Sequence, residues 1–137
     1  TSARRLQGLA EVLALGLTEL SRIPCFALEC GQLRHGPMEM LGPEVGAVFL
    51  GAADATGDLV RGLAEAVAAA GAPTLVLDAS GRPPATGAVT VDAGRQDGIA
   101  ALATLLPISQ RLMIAFAATR VADVGTPVRS QKITRTE

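Results

Sequence analysis

Three side chains in this sequence combine a reactive type with a conspicuous position. Lys132 is the one lysine beside eleven arginines, and it opens the last six residues, Lys132-Ile133-Thr134-Arg135-Thr136-Glu137. An ammonium can lose its proton and condense with a carbonyl, which a guanidinium cannot do. His35 is the one histidine, in Gln32-Leu33-Arg34-His35-Gly36-Pro37, and its imidazole exchanges protons near neutral pH. Glu19 lies four residues after Leu15 and seven after Val12, so it prolongs an apolar stripe at the end of the first predicted helix. Burial and the negative helix end would both disfavour its ionised form there, a condition that suits a general base. A frayed last turn would instead leave it in water. Lone histidines in loops are commonly surface or capping residues, and lysines near a C-terminus are commonly solvated, so spacing has to carry the argument.

The elements that must position these residues alternate between helix and strand. Residues 3–20 repeat leucine at 6, 9, 13, 17 and 20, with Val12 and Leu15 as a second stripe, and predict a largely buried helix. Residues 23–29 read as a short strand entered through Pro24, and 45–50 as a second. The turn at 51–57 leads into a helix over 58–70, with Leu59, Leu63, Val67 and Ala70 on one face and Gly71 as its stop. Residues 74–77 form a continuous apolar strand of the kind buried in parallel sheets, 80–86 a proline-rich loop, and 88–91 a further strand. Residues 97–120 predict a helix with Leu102, Leu105, Leu106, Leu112, Met113 and Phe116 apolar and a kink or restart at Pro107. The pattern implies an α/β fold, a three-layer sandwich of helices on a parallel sheet. One domain spans 1–137: a leading helix over 1–22, an α/β core over 23–120 and a polar tail over 121–137.

Composition narrows the functions. With 137 residues, 49% of them hydrophobic, and a net charge of −1, the chain can bury one core and presents no general field for nucleic acid. The arginines are scattered, and three phenylalanines supply the only aromatic rings. The apolar run 99–118 contains Pro107, Gln110 and Arg111 and reads as a buried helix, so neither membrane nor nucleic-acid partners are expected. The chain opens without a signal peptide pattern, and two cysteines do not make a disulfide framework, which suggests the cytoplasm.

Other motifs carry less. Gly51-Ala52-Ala53-Asp54-Ala55-Thr56-Gly57 lies where a phosphate loop would lie but fits neither glycine fingerprint. Cys25, Cys30 and His35 are spaced C-x4-C-x4-H and lack a fourth Cys or His, so no metal site is expected; buried structural cysteines are the better reading. No GxSxG elbow is present.

Taken together, the spacing of Glu19, His35 and Lys132 resembles the C-terminal part of the sugar isomerase (SIS) family, most of all the isomerase domains of amidotransferases that make glucosamine-6-phosphate. The A-L-K-L-K-E helix of that family is matched by Ala14-Leu15-Gly16-Leu17-Thr18-Glu19. Its E-L/F-K/R-H-G-P is matched by Gln32-Leu33-Arg34-His35-Gly36-Pro37, and its terminal K-S-V-T-V-E by Lys132-Ile133-Thr134-Arg135-Thr136-Glu137. The resemblance implies an SIS-like, Rossmann-type fold and isomerisation of a fructose-6-phosphate- or glucosamine-6-phosphate-like sugar phosphate. Glu19 would be the base between C1 and C2, His35 would assist ring opening, and Lys132 would hold the open-chain ketose. Arg34 and Gln131 are the accompanying candidates for substrate binding. The resemblance implies no cofactor, and a homodimer in which His35 reaches a neighbouring subunit's site. Gly16, Thr18 and Gln32 depart from the family's two lysines and its glutamate. The Ser/Thr-rich loop that cradles the phosphate in the family has no counterpart here, so the chain reads as the latter part of a module. A non-catalytic module that senses phosphosugars or mediates dimerisation is the alternative, and an unrelated nucleotide-binding domain a weaker one.

Overall fold

The computed structural model describes residues 4–129. Its sheet has three parallel strands in the order β1 (Ala47–Ala52), β2 (Thr74–Ala79) and β3 (Val89–Asp92). Ala47 pairs with Thr74 and Ala52 with Ala79, so the central pair is in register along its whole length. Strand alternation divides the core into two faces. Leu50, Ala52, Leu77 and Ala79 point one way, into a cluster with Leu9, Leu13, Leu105 and Met113. Phe49 and Val76 point the other way, among Leu33, Val60, Leu63 and Val67.

The first face is covered by α1 (Gln7–Ser21), which a single 3-10 turn precedes, and by α4 (Gly98–Ala118). These helices run parallel to each other. Arg5 meets Asp97 at their N-terminal ends at 3.4 Å, and Arg22 meets Asp123 beyond their C-terminal ends at 3.0 Å. The opposite face is covered by α3 (Gly57–Ala69), with the short α2 (Cys30–Arg34) packed beside it through Leu33. The fold is therefore α/β with helical layers on both faces of a parallel sheet, as the alternation of elements predicts.

Four details differ from the sequence reading. Residues 23–28 belong to no named strand: the Cys25 N–H, a donor that a ladder would use, is taken by the Thr18 hydroxyl at 2.9 Å. Pro24 removes another ladder donor. The buried row of α3 is Val60, Leu63, Ala64 and Val67, whereas Leu59 is 64% exposed and Ala70 lies at the exposed end. Leu63 and Val67 belong to both rows; contact with Phe49 and Val76 adds Val60 and Ala64 to them in place of Leu59 and Ala70. α4 continues through exposed Pro107 as one helix, so it does not restart there. The row α4 buries is Ala101, Leu105, Ser109, Met113 and Ala117, leaving Leu102, Leu106 and Phe116 exposed. By length and mean hydropathy α4 alone among the described helices would suffice to cross a membrane; what it shows is this buried row against the sheet and α1.

Candidate functional site

Glu19 is set by the way α1 ends. Arg22 caps the helix in the left-handed region, φ 63°, and its N–H returns to the Thr18 carbonyl. The Thr18 hydroxyl also reaches the Ala14 carbonyl at 3.0 Å, so the last turn and the segment leaving it are tied to one side chain. Glu19 itself is exposed. Val12 and Leu15, on the same stripe, are 52% and 59% exposed, so the burial expected for Glu19 is not found among the described residues. The cause is geometric: α1 spends one row, Leu9 and Leu13, on the sheet and its Gly16 side on α4, and no described residue covers the third side.

His35 is set by a capping box. The Glu29 side chain accepts from the backbone of Gln32, and the Gln32 Oε1 accepts from the Glu29 N–H at 2.9 Å. That fixes a single helical turn whose Leu33 is anchored in the core and whose C-cap residue, His35, is exposed. Gly36 follows with φ 133°, a conformation that side chains avoid, and Pro37 opens a 3-10 turn over Pro37–Met40. The Gly-Pro pair thus turns the chain so that His35 stands at the corner, beside exposed Arg34.

The elements that carry Glu19 and His35 border one groove, through Leu17 and Leu33, although their buried residues enter different core clusters. Leu17 and Leu20, which flank Glu19, pack on the α1–α4 face, whereas Leu33, two residues before His35, is buried on the α3 face. Gln131 and Lys132 lie outside the described residues. The described chain nevertheless approaches them from a definite place: Arg22 binds Asp123 and the Thr126 carbonyl, at 3.0 and 3.3 Å, beside the end of α1. Six residues link Thr126 to Lys132, an extended reach of at most about 21 Å.

Between α1, the irregular segment and β1 lies an apolar groove of about 170 Å³, lined by Leu13, Leu17, Phe26, Leu28, Leu41 and Val48 among others. Its lining offers no charged side chain to a phosphosugar. Cys25 borders it; burial pushes its thiol above the ordinary value, and the Thr18 hydrogen bond opposes that shift. Cys25 and Cys30 form no disulfide.

Sequence reasoning missed a polar knot at the C-terminal ends of the strands. Buried Asp78 accepts from the Ser80 hydroxyl at 2.8 Å and from its N–H at 3.1 Å. Arg82 binds Asp58 at 2.8 Å, the Asp54 carbonyl at 3.1 Å and the Ala52 carbonyl at 3.4 Å. A Cβ on Gly57, the first residue of α3, would collide with the Arg82 guanidinium. The space where a phosphate loop would hold its anion is thus filled by the protein's own cation, which removes the main support for the nucleotide reading. Asp78-Ala79-Ser80-Gly81-Arg82 at the exit of an apolar strand was the signal available in the sequence.

Neither a protein-family model nor a curated protein matches the chain. Solved structures do. The C-terminal domain of glucosamine-fructose-6-phosphate aminotransferase from Francisella tularensis matches with a TM-score of 0.66 and 21% identity, over 86% of this chain and 34% of its own. Tagatose-6-phosphate ketose/aldose isomerase from Escherichia coli matches with a TM-score of 0.70 and 17% identity, over 83% and 33%. An E. coli CFT073 protein solved as a ligand complex matches with a TM-score of 0.66 and 12% identity, over 86% and 67%. The chain thus spans about a third of the length of the first two, and what it shares with all three is the fold, which is of the SIS type.

Proposed function

We propose that this chain is the C-terminal part of a sugar isomerase module acting on an open-chain sugar phosphate of the fructose-6-phosphate or glucosamine-6-phosphate kind. The observation that carries the reading is the His-Gly-Pro corner: within an SIS-type fold, a capped helical turn and a positive-φ glycine present His35 to solvent rather than to the core. In the proposed reaction His35 moves a proton between the ring oxygen and the anomeric hydroxyl as the ring opens. Glu19 removes the proton from C1 of the ketose and returns it to C2 of the enediol, giving the aldose. Lys132 holds the open-chain ketose by condensing with its C2 carbonyl, losing water; water then hydrolyses this imine, freeing the amine and restoring the carbonyl before Glu19 acts, while Arg34 and Gln131 contact the substrate. None of these steps calls on a metal or an organic cofactor, and two cysteines that form no disulfide suit the cytoplasm.

As the resemblance implies, His35 would serve a neighbouring copy, so that the proposed site is shared between two chains. This arrangement supports a homodimer with two equivalent sites. The test is turnover of fructose-6-phosphate and glucosamine-6-phosphate by the polypeptide that carries this chain. Borohydride trapping should mark the peptide bearing the single lysine, and undiminished turnover by Lys132→Arg would remove that residue from the mechanism.

A second reading, a non-catalytic module that binds phosphosugars or mediates dimerisation, has its own support. Gly16, Thr18 and Gln32, which stand where the resembling family has charged residues, are used here for helix packing, for clamping Cys25 and for the capping box. Calorimetric binding without turnover, unaffected by Glu19→Gln, would favour it.

A further inference from the structure

A small cavity of about 10 Å³ lies between α3, β2 and the loop that joins β2 to β3, bordered by Arg61, Asp78, Ser80, Pro83, Ala85 and Thr90 among others. That loop connects two adjacent parallel strands in only nine residues, 80–88, without a helix of its own. It must therefore be fastened to the layer it crosses. One fastening is visible: Arg61 pairs with Glu65 at 3.2 Å, and the Glu65 carboxylate accepts from the Thr86 N–H at 3.1 Å. A second involves Asp78, whose carboxylate holds both the N–H and the hydroxyl of Ser80 where the loop starts.

Two polar atoms between these fastenings, the Arg61 Nε and the Thr90 Oγ1, are buried and find no hydrogen-bond partner among the protein atoms. Both residues border the same cavity. Buried donors and hydroxyls are almost always satisfied, and the cavity is close to the size that one water requires, roughly 10–15 Å³. We propose that this cavity is a binding site for one internal water molecule that joins α3 to the edge strand β3. The water accepts from the Arg61 Nε–H, exchanges a hydrogen bond with the Thr90 hydroxyl and donates to the Asp78 carboxylate, which has lone pairs beyond those used by Ser80. It has the two to four polar partners that ordered internal waters need. Its effect is mechanical: β3 is short, with Val89 and Val91 exposed, and the bridge holds this strand and its loop against α3.

A high-resolution crystal structure of the chain tests this directly. The expected result is one solvent peak within hydrogen-bonding distance of both the Arg61 Nε and the Thr90 Oγ1; a dry cavity, or either atom paired to another protein group, would overturn the proposal. Thr90→Val should lose the peak, lower Tm by about 4 °C and speed amide exchange at Thr86 and Ala88, whereas Thr90→Ser should keep all three near wild type. A Thr90→Val protein of unchanged Tm and exchange would count against the bridge. Should that variant fail to fold, the wild-type and Thr90→Ser structures decide the matter through the same peak.

Discussion

Gly16 of α1 lies against the sulfur of Met113 of α4, so closely that a Cβ on the glycine would occupy the space of that sulfur. The parallel contact of the two helices therefore depends on the absence of a side chain at a position where the resembling family has lysine. A larger residue there should force the helices apart or drive Met113 from its place. Gly16→Leu is expected to cost about 1–3 kcal/mol. In a Met113→Ala background the cost should shrink, because the space would already be free. Urea denaturation of the two single variants and the double variant measures the coupling; strictly additive effects would contradict it.

The Thr18 hydroxyl accepts from the Cys25 N–H, and the thiol of Cys25 is pushed above its ordinary value of 9.0 by burial while the Thr18 hydrogen bond restrains that rise. Thr18→Val keeps the shape and removes the hydroxyl, so the thiol should titrate higher still, seen as slower alkylation at mildly alkaline pH. Folding favours the protonated thiol. Its contribution to stability is thus complete below the unfolded value near 9.0 and is lost as pH rises from there through the folded value. Melting curves across that range should show the loss in wild type, and a Cys25→Ala variant should lack it.

Arg82 gathers the exits of β1 and β2 by binding two backbone carbonyls and Asp58. Asp58 is well exposed, so its ion pair adds little; the carbonyl contacts carry most of the effect. Arg82→Met should destabilise the protein by about 2 kcal/mol, while Asp58→Asn should cost well under half of that. Equal losses from both variants would place the energy in the ion pair instead.

If Glu19 and His35 serve a shared site, variants lacking either should complement each other. Glu19→Gln and His35→Ala proteins, each inactive alone, would form mixed dimers in which one of the two sites has both residues. Half the dimers would be mixed, so co-expression should restore about a quarter of wild-type activity in a twofold-symmetric assembly. No recovery in mixed dimers isolated through two different affinity tags would place both residues in one copy's site.

The three long helices, α1, α3 and α4, and the central strands were legible in the sequence because their apolar residues recur at regular spacing and Gly71 marks the end of α3; the single turn of α2 was not. Nor was the irregular segment after α1. Residues 23–29 have the composition of a strand, and the Thr18 hydroxyl, brought over by the end of a helix, takes the Cys25 N–H that a ladder would use. The Arg82 knot was likewise hidden, because it joins Asp58 and Asp54 to a residue more than twenty positions away.

By itself the sequence determined the alternation of elements and the α/β class, and its side-chain types made Glu19, His35 and Lys132 candidates for chemistry. Those follow from side-chain type and from local period, which a chain carries whether folded or not. Tertiary structure decided which rows of α1, α3 and α4 are buried, and it left both Glu19 and His35 exposed. A helical row is buried only when a neighbouring surface is there to receive it, and a strand sends alternate residues to opposite layers, so both depend on what packs where rather than on what is next in the chain.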